Sequence, residues 1–271
     1  MGSRPMDDAL RDGVVEIARR AAAAILAVYD SASFEEDAAV RHKEDRSPLT
    51  EADLAAHRCI VEGLRALTPD IPVLSEESRD ADIAGRRAWT RLWVVDPLDG
   101  TREFVKRNGE FTVNIALVED GVATFGVIQQ PVTGALWHGA PGRGAFRREG
   151  DDDRPIHARI PAASPPRVAA SRSHRDARTQ ALLDALPGSE VVGCGSSLKF
   201  CRIAEGAIDL YPRFGPTSEW DTAAGQAILE AAGGAVLDPR GRPFRYNQRD
   251  GLLNGDFLAL GDPALRARLP A

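Results

Sequence analysis

Two aspartates, Asp96 and Asp99, stand three residues apart at the end of an apolar run, in the segment Trp93-Val94-Val95-Asp96-Pro97-Leu98-Asp99-Gly100-Thr101. The run predicts a strand, Pro97 a turn after it, and Gly100-Thr101 the opening of a short helix over 102–105. Carboxylates bind hard divalent cations, and the free N–H groups of a helix N-terminus favour an anion. We therefore expect a phosphate held by Mg²⁺ on one side and by backbone amides on the other. A solvated Asp-Pro turn with a helix cap is the simpler alternative.

Other acidic residues could complete such a cation site. Glu76-Glu77 follows a short apolar run, so one of these glutamates can lie at the end of a strand near Asp96. Asp53 is expected in the first turns of a helix, and Asp221 at the opening of another. Taken singly, the two aspartates are explained as capping residues and the glutamates as surface charge. Carboxylates packed together repel one another unless divalent cations neutralise them, so a cluster of all of them would require metal.

Helical and strand periodicities supply the elements that must position these residues. In the first half, one helix is expected over 10–28, and a second is expected to open at the capping arrangement of Thr50 and Asp53 and to reach Leu67. Strands are expected over 71–74, 92–95, 111–118, 122–130 and 135–139. In the second half, strands are expected over 168–170, 191–192, 207–211, 236–237 and 257–260, and helices over 177–186, 199–205 and 220–232. Consecutive hairpin turns make the first sheet antiparallel, whereas strands and helices alternate in the second half.

These elements predict an α/β fold of the α+β type, in which two lobes form a layered α-β-α-β-α sandwich. Residues 1–160 would form an N-terminal metal-binding lobe with a largely antiparallel sheet. Residues 161–271 would form a C-terminal α/β substrate lobe with a mixed sheet. The stretch 149–166 is rich in Asp, Gly and Pro, and we expect it to be the linker between the lobes.

Composition narrows the choice of partner. The 271 residues include 34 basic and 40 acidic side chains, a net charge of −6 with both signs spread along the chain. This balance argues against a nucleic-acid-binding protein, which needs a basic face. A small phosphorylated molecule is the expected partner, and the sequence leaves open whether the protein is a monomer or a homodimer.

Cysteine usage and hydropathy bear on location. Cys59, Cys194 and Cys201 form no paired motif, so reduced thiols in a cytoplasmic protein are expected. The longest apolar run, residues 21–28, is too short to span a membrane, which leaves peripheral association with the inner membrane open. Residues 1–5 lack the apolar region of a signal peptide, and whether they are an added segment before Met6 is also left open.

Three ordered motifs resemble those of the inositol monophosphatase-like superfamily of Mg²⁺-dependent, lithium-sensitive phosphatases. They are Glu76-Glu77, Asp96-Pro97-Leu98-Asp99-Gly100-Thr101 and Trp220-Asp221-Thr222-Ala223-Ala224-Gly225. Within the superfamily, the segments 43–53, 171–174 and 215–221 are most similar to 3'(2'),5'-bisphosphate nucleotidases of the CysQ type. The resemblance extends over nearly the whole chain. It implies hydrolysis of adenosine 3',5'-bisphosphate to AMP and phosphate, and by likeness action on 3'-phosphoadenylyl sulfate in sulfate assimilation.

The resemblance also implies roles for individual residues. The implied ligands of two or three Mg²⁺ ions are the side chains of Glu76, Asp96, Asp99 and Asp221 and the backbone carbonyl of Leu98. Asp53 and Thr101 match a pair that polarises the attacking water, which Glu76 also contacts. The amides of Gly100 and Thr101 would cradle the scissile phosphate. The implied nucleotide contacts are Ser197, Lys199, Arg213 and Glu219.

A nucleoside bisphosphate needs further cations and an apolar or aromatic wall beyond the metals. Tyr211 is the aromatic candidate, although core packing explains it equally well. Lys199, Arg213 and the segment 172–174 supply the cations, although a solvated loop charge is an equal explanation for Arg172. His174 is interpreted as a cap or surface group rather than a general acid.

Three other functions remain open at this point. A covalent aspartyl phosphatase of the haloacid dehalogenase type requires two aspartates two residues apart, whereas Asp96 and Asp99 are three apart. A non-catalytic sensor of a phosphorylated metabolite would use the same metal site without turnover. Inositol monophosphate or fructose 1,6-bisphosphate would change the substrate and keep the mechanism.

Overall fold

The structure, a computed structural model, describes residues 7–30, 40–42, 48–81, 83–170 and 176–269, with the backbone alone described at 40–42 and 48–50. Three sequence-based interpretations therefore lie outside the described residues. They concern the segment 1–5, the motif residues 43–47, and the candidate cations around Arg172 and His174.

Six α-helices and fourteen strands are found in the described ranges. The helices are α1 (Asp8–Tyr29), α2 (Glu51–Leu67), α3 (Thr101–Val105), α4 (Ala177–Asp184), α5 (Leu198–Ala204) and α6 (Glu219–Ala231). The strands before residue 160 are β1 (Val40–His42), β2 (Pro48–Thr50), β3 (Val73–Ser75), β4 (Arg91–Asp99), β5 (Thr112–Glu119), β6 (Val122–Gln129), β7 (Leu136–Ala140), β8 (Gly144–Glu149) and β9 (Asp152–Ile156). The later strands are β10 (Arg167–Ala169), β11 (Glu190–Val192), β12 (Leu210–Arg213), β13 (Ala235–Leu237) and β14 (Phe257–Leu260). Short 3₁₀ turns cover Arg86–Ala88 and Pro263–Arg268.

Helices α1 and α2 are amphipathic and pack on one face of the first sheet. Asp7 caps α1 by accepting a hydrogen bond of 2.7 Å from the N–H of Leu10. Residues spaced three and four apart, such as Val14, Ile17 and Ala21, form the buried stripe of α1. No helix in the described part of the chain is both long and apolar enough to cross a membrane.

The first sheet has seven strands in the order β3-β4-β5-β6-β7-β8-β9. Only β3 and β4 run parallel, so the largely antiparallel sheet predicted for the first half is confirmed. The linker predicted from residue 149 is wrong over 149–156, because Glu149 pairs with Asp152 across a tight turn. Asp and Gly are common in hairpin turns as well as in linkers, and β9 is an exposed edge strand without apolar alternation.

The second sheet has five strands in the order β11-β10-β12-β14-β13. Strands β11, β10 and β12 are parallel to one another, whereas β14 runs antiparallel to β12 and β13. The predicted mixed sheet is thus confirmed. Strand β12 begins at Leu210, three residues later than the expected start at 207.

The layers follow from three hydrophobic clusters. Helices α1 and α2 cover the outer face of the first sheet, α5 and α6 fill the space between the two sheets, and α4 covers the outer face of the second sheet. This is the predicted α-β-α-β-α sandwich. The central cluster contains Trp137 from before residue 160 together with Phe200 and Phe257 from after it, so a continuous core joins the two halves. The division into domains at residue 160 stays a prediction.

Candidate metal centre

A β-bulge brings Asp96 and Asp99 to the same face of the first sheet. Asp96 pairs with Asn114 and Asp99 with Thr112, so three steps along β4 match two steps along β5. In a regular strand, side chains three residues apart point to opposite faces, and one extra residue cancels that difference. Pro97 lies inside the bulge, where its missing N–H disturbs the strand pairing least. The strand therefore runs to Asp99 rather than ending at Val95 as predicted.

Three other elements carry acidic side chains to this bulge. Glu76 follows β3, and its N–H donates to the carbonyl of Val95 at 3.1 Å because β3 pairs in parallel with β4. Asp53 lies in the first turn of α2 on its buried face, and it is 1% exposed. Asp221 is the third residue of α6, where one carboxylate oxygen accepts the N–H of Ser218 at 2.8 Å. Capping and metal binding are therefore compatible roles for Asp221.

These five residues, Asp53, Glu76, Asp96, Asp99 and Asp221, are called the carboxylate cluster below. One ligand oxygen from each of Asp96, Asp99 and Asp221 lies within 4.8 Å of the others. Burial raises the pKa of Asp96 well above its usual range, and the charges of the other four members raise it further. Residues far apart in the sequence thus form one electrostatic unit.

Asp221 responds to the same surroundings. Burial and the charges of Asp99 and Glu76 raise the pKa of Asp221 to about 7, although hydrogen bonds from Ser218 and Asp96 act in the opposite direction. No basic side chain among the described residues forms an ion pair with Asp96, Asp99 or Asp221. Within the described ranges, these three aspartates therefore lie close together without an ion-pair partner.

The donor set of this cluster fits Mg²⁺. Carboxylate oxygens are the ligands that Mg²⁺ prefers, and close carboxylates acquire elevated pKa values when nothing positive neutralises them. The residues present could hold a divalent cation among Asp96, Asp99 and Asp221, with Glu76 beside them. The structure supports a metal site here from its own geometry.

The predicted phosphate cradle follows the bulge directly. Gly100 has a φ of 92°, and a Cβ at this position would meet the carbonyl oxygen of Glu110 at 3.3 Å, so both conformation and space favour glycine. Thr101 begins α3, and its hydroxyl lies 3.4 Å from the carbonyl oxygen of Leu98. The side chain of Leu98 is buried in the core, which leaves its backbone carbonyl as the group that could act at the site. The roles of these residues stay predictions.

The part of the chain after residue 160 supplies the candidate nucleotide contacts Lys199, Tyr211 and Arg213. The Nζ of Lys199 lies 5.2 Å from the ring centroid of Tyr211 and donates to the carbonyl of Ser196 at 3.0 Å. Tyr211 is 7% exposed and packs edge-on against Phe200, so core packing accounts for most of its surface. Arg213 donates to the carbonyl of Pro216 at 2.9 Å.

Two predicted nucleotide contacts, Ser197 and Glu219, are buried and have hydrogen-bond partners within the protein. Ser197 is 2% exposed, and its hydroxyl lies 2.7 Å from a carboxylate oxygen of Asp99. Glu219 is 0% exposed; its carboxylate accepts the N–H of Asn247 at 2.7 Å and a guanidinium N–H of Arg249 at 3.1 Å. Their proposed contact with nucleotide stays a prediction, and the structure assigns each of them protein partners.

Sequence reasoning missed Thr112 and Asn114. Both lie on β5 opposite the bulge and are at most 1% exposed. They are polar residues two positions apart in a run that is otherwise apolar, Phe111-Thr112-Val113-Asn114-Ile115. Buried polar side chains require hydrogen-bond partners, so this alternation was the available signal.

Known proteins give a consistent comparison. A sequence model of the inositol monophosphatase family matches residues 7–266. The 3'(2'),5'-bisphosphate nucleotidase CysQ of Salmonella typhimurium is 51% identical over 244 residues, which is 90% of this chain and 96% of that protein. The Escherichia coli K12 protein of the same name is 49% identical, covering 91% of this chain and 97% of its own length. The crystal structure of CysQ from Bacteroides thetaiotaomicron is 38% identical and superposes with a TM-score of 0.81 over 95% of this chain and 98% of that one.

Proposed function

The chain belongs to the inositol monophosphatase family, and we propose that it is a Mg²⁺-dependent phosphomonoesterase that converts adenosine 3',5'-bisphosphate into AMP and inorganic phosphate. It is an enzyme, a 3'(2'),5'-bisphosphate nucleotidase, as the relatives that share about half of its residues are named. The observation that carries the proposal is the carboxylate cluster, which four separate segments of the chain assemble without a basic partner for Asp96, Asp99 or Asp221.

The proposed cofactor is Mg²⁺, with two or three ions per site. When bound, these cations lower the pKa of water and stabilise the negative charge that develops on the transferring phosphoryl group and the leaving oxygen. Glu76, Asp96, Asp99 and Asp221 would hold them, together with the carbonyl of Leu98. No covalent bond between an aspartate and the phosphoryl group is needed.

Other residues of the site would orient the reactants. Asp53 and Thr101 are proposed to polarise the attacking water, which Glu76 would also contact. The amides of Gly100 and Thr101 would hold the phosphate oxygens. Reactants fixed in this way avoid the entropy cost of a bimolecular encounter. Lys199 and Arg213 are the proposed cations for the second phosphate of the nucleotide.

A substrate panel tests the proposal. Release of phosphate would be measured with Mg²⁺ for adenosine 3',5'-bisphosphate, 3'-phosphoadenylyl sulfate, inositol 1-phosphate and fructose 1,6-bisphosphate. We expect the highest kcat/KM for adenosine 3',5'-bisphosphate, loss of turnover with a chelator, and inhibition by lithium. A higher kcat/KM for inositol 1-phosphate would contradict the substrate assignment.

A matched pair of variants separates an enzyme from a sensor. Asp99→Asn removes a proposed ligand, whereas Asp153→Asn makes the same chemical change in an aspartate outside the cluster. We expect Asp99→Asn to abolish phosphate release and Asp153→Asn to retain it. Nucleotide binding without release by the unaltered protein would indicate a sensor, and a trapped phosphorylated aspartate would indicate a covalent mechanism.

A further inference from the structure

A line of buried polar side chains connects Asp99 to the second lobe. Its members are Thr112 and Asn114 on β5 and Ser197 at the start of α5, and each is at most 2% exposed. Buried polar groups are costly unless they are hydrogen-bonded, so their shared position beside a proposed metal ligand requires an explanation.

The hydrogen bonds have a defined direction. The hydroxyl of Thr112 donates to Oδ1 of Asn114 at 3.0 Å, which turns Nδ2 of Asn114 the other way. That Nδ2 donates to the hydroxyl of Ser197 at 2.8 Å and lies 3.4 Å from Oδ2 of Asp99. The reverse orientation of the amide would place its oxygen against the Asp99 carboxylate, which is repulsive.

Ser197 joins two parts of the carboxylate cluster. Its hydroxyl lies 2.7 Å from Oδ2 of Asp99 and 2.8 Å from the backbone carbonyl oxygen of Asp221. A hydroxyl has one hydrogen to donate, and both candidate acceptors belong to proposed metal-binding residues. That hydrogen is therefore used within the protein, and a nearly fully buried hydroxyl has little surface left for a nucleotide.

We propose that Ser197 and Asn114 are positioning residues of the metal centre, which hold Asp99 in the orientation that accepts a divalent cation and fix it relative to Asp221. Ser197 and Asn114 both contact Oδ2 of Asp99, which leaves Oδ1 as the oxygen that could hold a cation. Groups that orient metal ligands in this way typically change metal affinity or activity about 10- to 100-fold when they are removed. The inference rests on the proposed metal centre and not on the choice of substrate.

The test measures metal binding without nucleotide. Calorimetric titration with Mn²⁺, which also takes carboxylate ligands, would compare Ser197→Ala, Asn114→Ala and Thr112→Val with the unaltered protein. We expect Ser197→Ala to weaken Mn²⁺ binding by about 10- to 100-fold, Asn114→Ala to weaken it less because Ser197 still reaches Asp99, and Thr112→Val least. Ser189→Ala is the matched control, because the Ser189 hydroxyl is buried without a hydrogen-bond partner among the described residues.

Kinetics distinguish positioning from nucleotide contact. At saturating Mg²⁺, Ser197→Ala should leave the KM for adenosine 3',5'-bisphosphate unchanged while raising the Mg²⁺ concentration needed for half-maximal rate. A raised KM with unchanged Mn²⁺ affinity would overturn the proposal, as would unchanged Mn²⁺ affinity in all three variants. Asn114→Ala keeps the start of α5 intact and decides the matter if Ser197→Ala unfolds. A protein that binds Mn²⁺ but releases no phosphate from the nucleotide would contradict the proposed function without touching this inference.

Discussion

The surroundings of Asp153 and those of the carboxylate cluster shift the pKa of a carboxyl group in opposite directions. Asp153 lies at the outer edge of the first sheet, where Arg148 donates two hydrogen bonds of 2.5 and 2.7 Å and His138 lies 2.9 Å away. Burial alone would raise the pKa of Asp153, but these hydrogen bonds outweigh it and lower the pKa to about 2. At Asp96, burial and neighbouring carboxylates both raise the pKa.

The difference shows what each region contributes. Around Asp153, the protein supplies its own cation, Arg148, so the charge of Asp153 stabilises the fold near neutral pH. Among the described residues no basic side chain forms an ion pair with Asp96, Asp99 or Asp221, and the raised pKa values of Asp96 and Asp221 mean that burying these carboxyl groups destabilises the metal-free fold. Buried carboxyl groups that destabilise the fold when no metal is bound indicate a function that requires a cation.

The largest expected effect follows from Asp96→Asn. Loss of a metal-binding oxygen should reduce phosphate release by more than about a hundredfold, beyond the range for residues that only orient ligands. With a chelator present, the same variant should unfold at a higher temperature, because the cost of burying this carboxyl group beside other carboxylates has been removed. An increase of about 1 kcal/mol in the free energy of unfolding would raise the unfolding temperature by roughly 2–4 °C in a chain of this size. The explanation would be contradicted if Asp96→Asn released phosphate normally. It would also be contradicted if, with a chelator present, this variant were less stable than the unaltered protein.

Glu219→Gln tests a buried carboxylate that has a partner. Burial raises the pKa of Glu219 although hydrogen bonds from Asn247 and Arg249 act against it. Loss of its charge-assisted bonds should cost about 1.5–3 kcal/mol in the free energy of unfolding, measured by denaturant titration. We expect an unchanged KM for adenosine 3',5'-bisphosphate. A raised KM with unchanged stability would support the predicted contact of Glu219 with the nucleotide.

The pH dependence of stability should differ with and without metal. The pKa of an unfolded aspartate is about 3.9, whereas that of Asp221 is raised to about 7 in the folded protein. The folded state therefore binds more protons between these values, and its stability falls as pH rises through 7. We expect the unfolding temperature in a chelator to be lower at pH 8 than at pH 5.5, and saturating Mg²⁺ to remove that fall. An equal fall in unfolding temperature from pH 5.5 to pH 8 with the chelator and with Mg²⁺ would contradict the explanation.

Asp153→Asn should have the smallest effect. The lowered pKa of Asp153 means that its charge stabilises the fold above about pH 3.9 and that this contribution is lost as pH falls through about 2. Because the pair is partly exposed, we expect a loss of about 1 kcal/mol at pH 7 and normal phosphate release. An equal loss at pH 2 would show that packing rather than charge is responsible.

Much of this architecture could be predicted because periodicity reports which face of an element is buried. The apolar residues spaced three and four apart from Val14 to Ile25 predicted α1. The turn residues Asp120-Gly121 predicted the hairpin of β5 and β6. The two sheets and their layering followed from such signals. The hairpin of β8 and β9 did not, since an exposed edge strand has no apolar period and its acidic turn looks like a linker.

The site shows a second limit of sequence reasoning. The motifs identified which carboxylates belong together, but the face toward which each points depends on the bulge between Asp96 and Asp99, which is visible only in the strand pairing. Ser197 and Glu219 were assigned to the nucleotide from the family resemblance, and that assignment stays a prediction. Their hydrogen-bond partners Asn114, Asn247 and Arg249 come from other elements and cannot be read from local sequence.

The most direct test of the central claim is calorimetric titration of the nucleotide-free protein with Mn²⁺ at pH 7.5, for the unaltered chain, Asp99→Asn and Asp153→Asn. We expect the unaltered chain and Asp153→Asn to bind Mn²⁺ with equal affinity, and Asp99→Asn to lose that binding. Binding by Asp99→Asn with unchanged affinity and stoichiometry would contradict the claim that the carboxylate cluster is the metal centre.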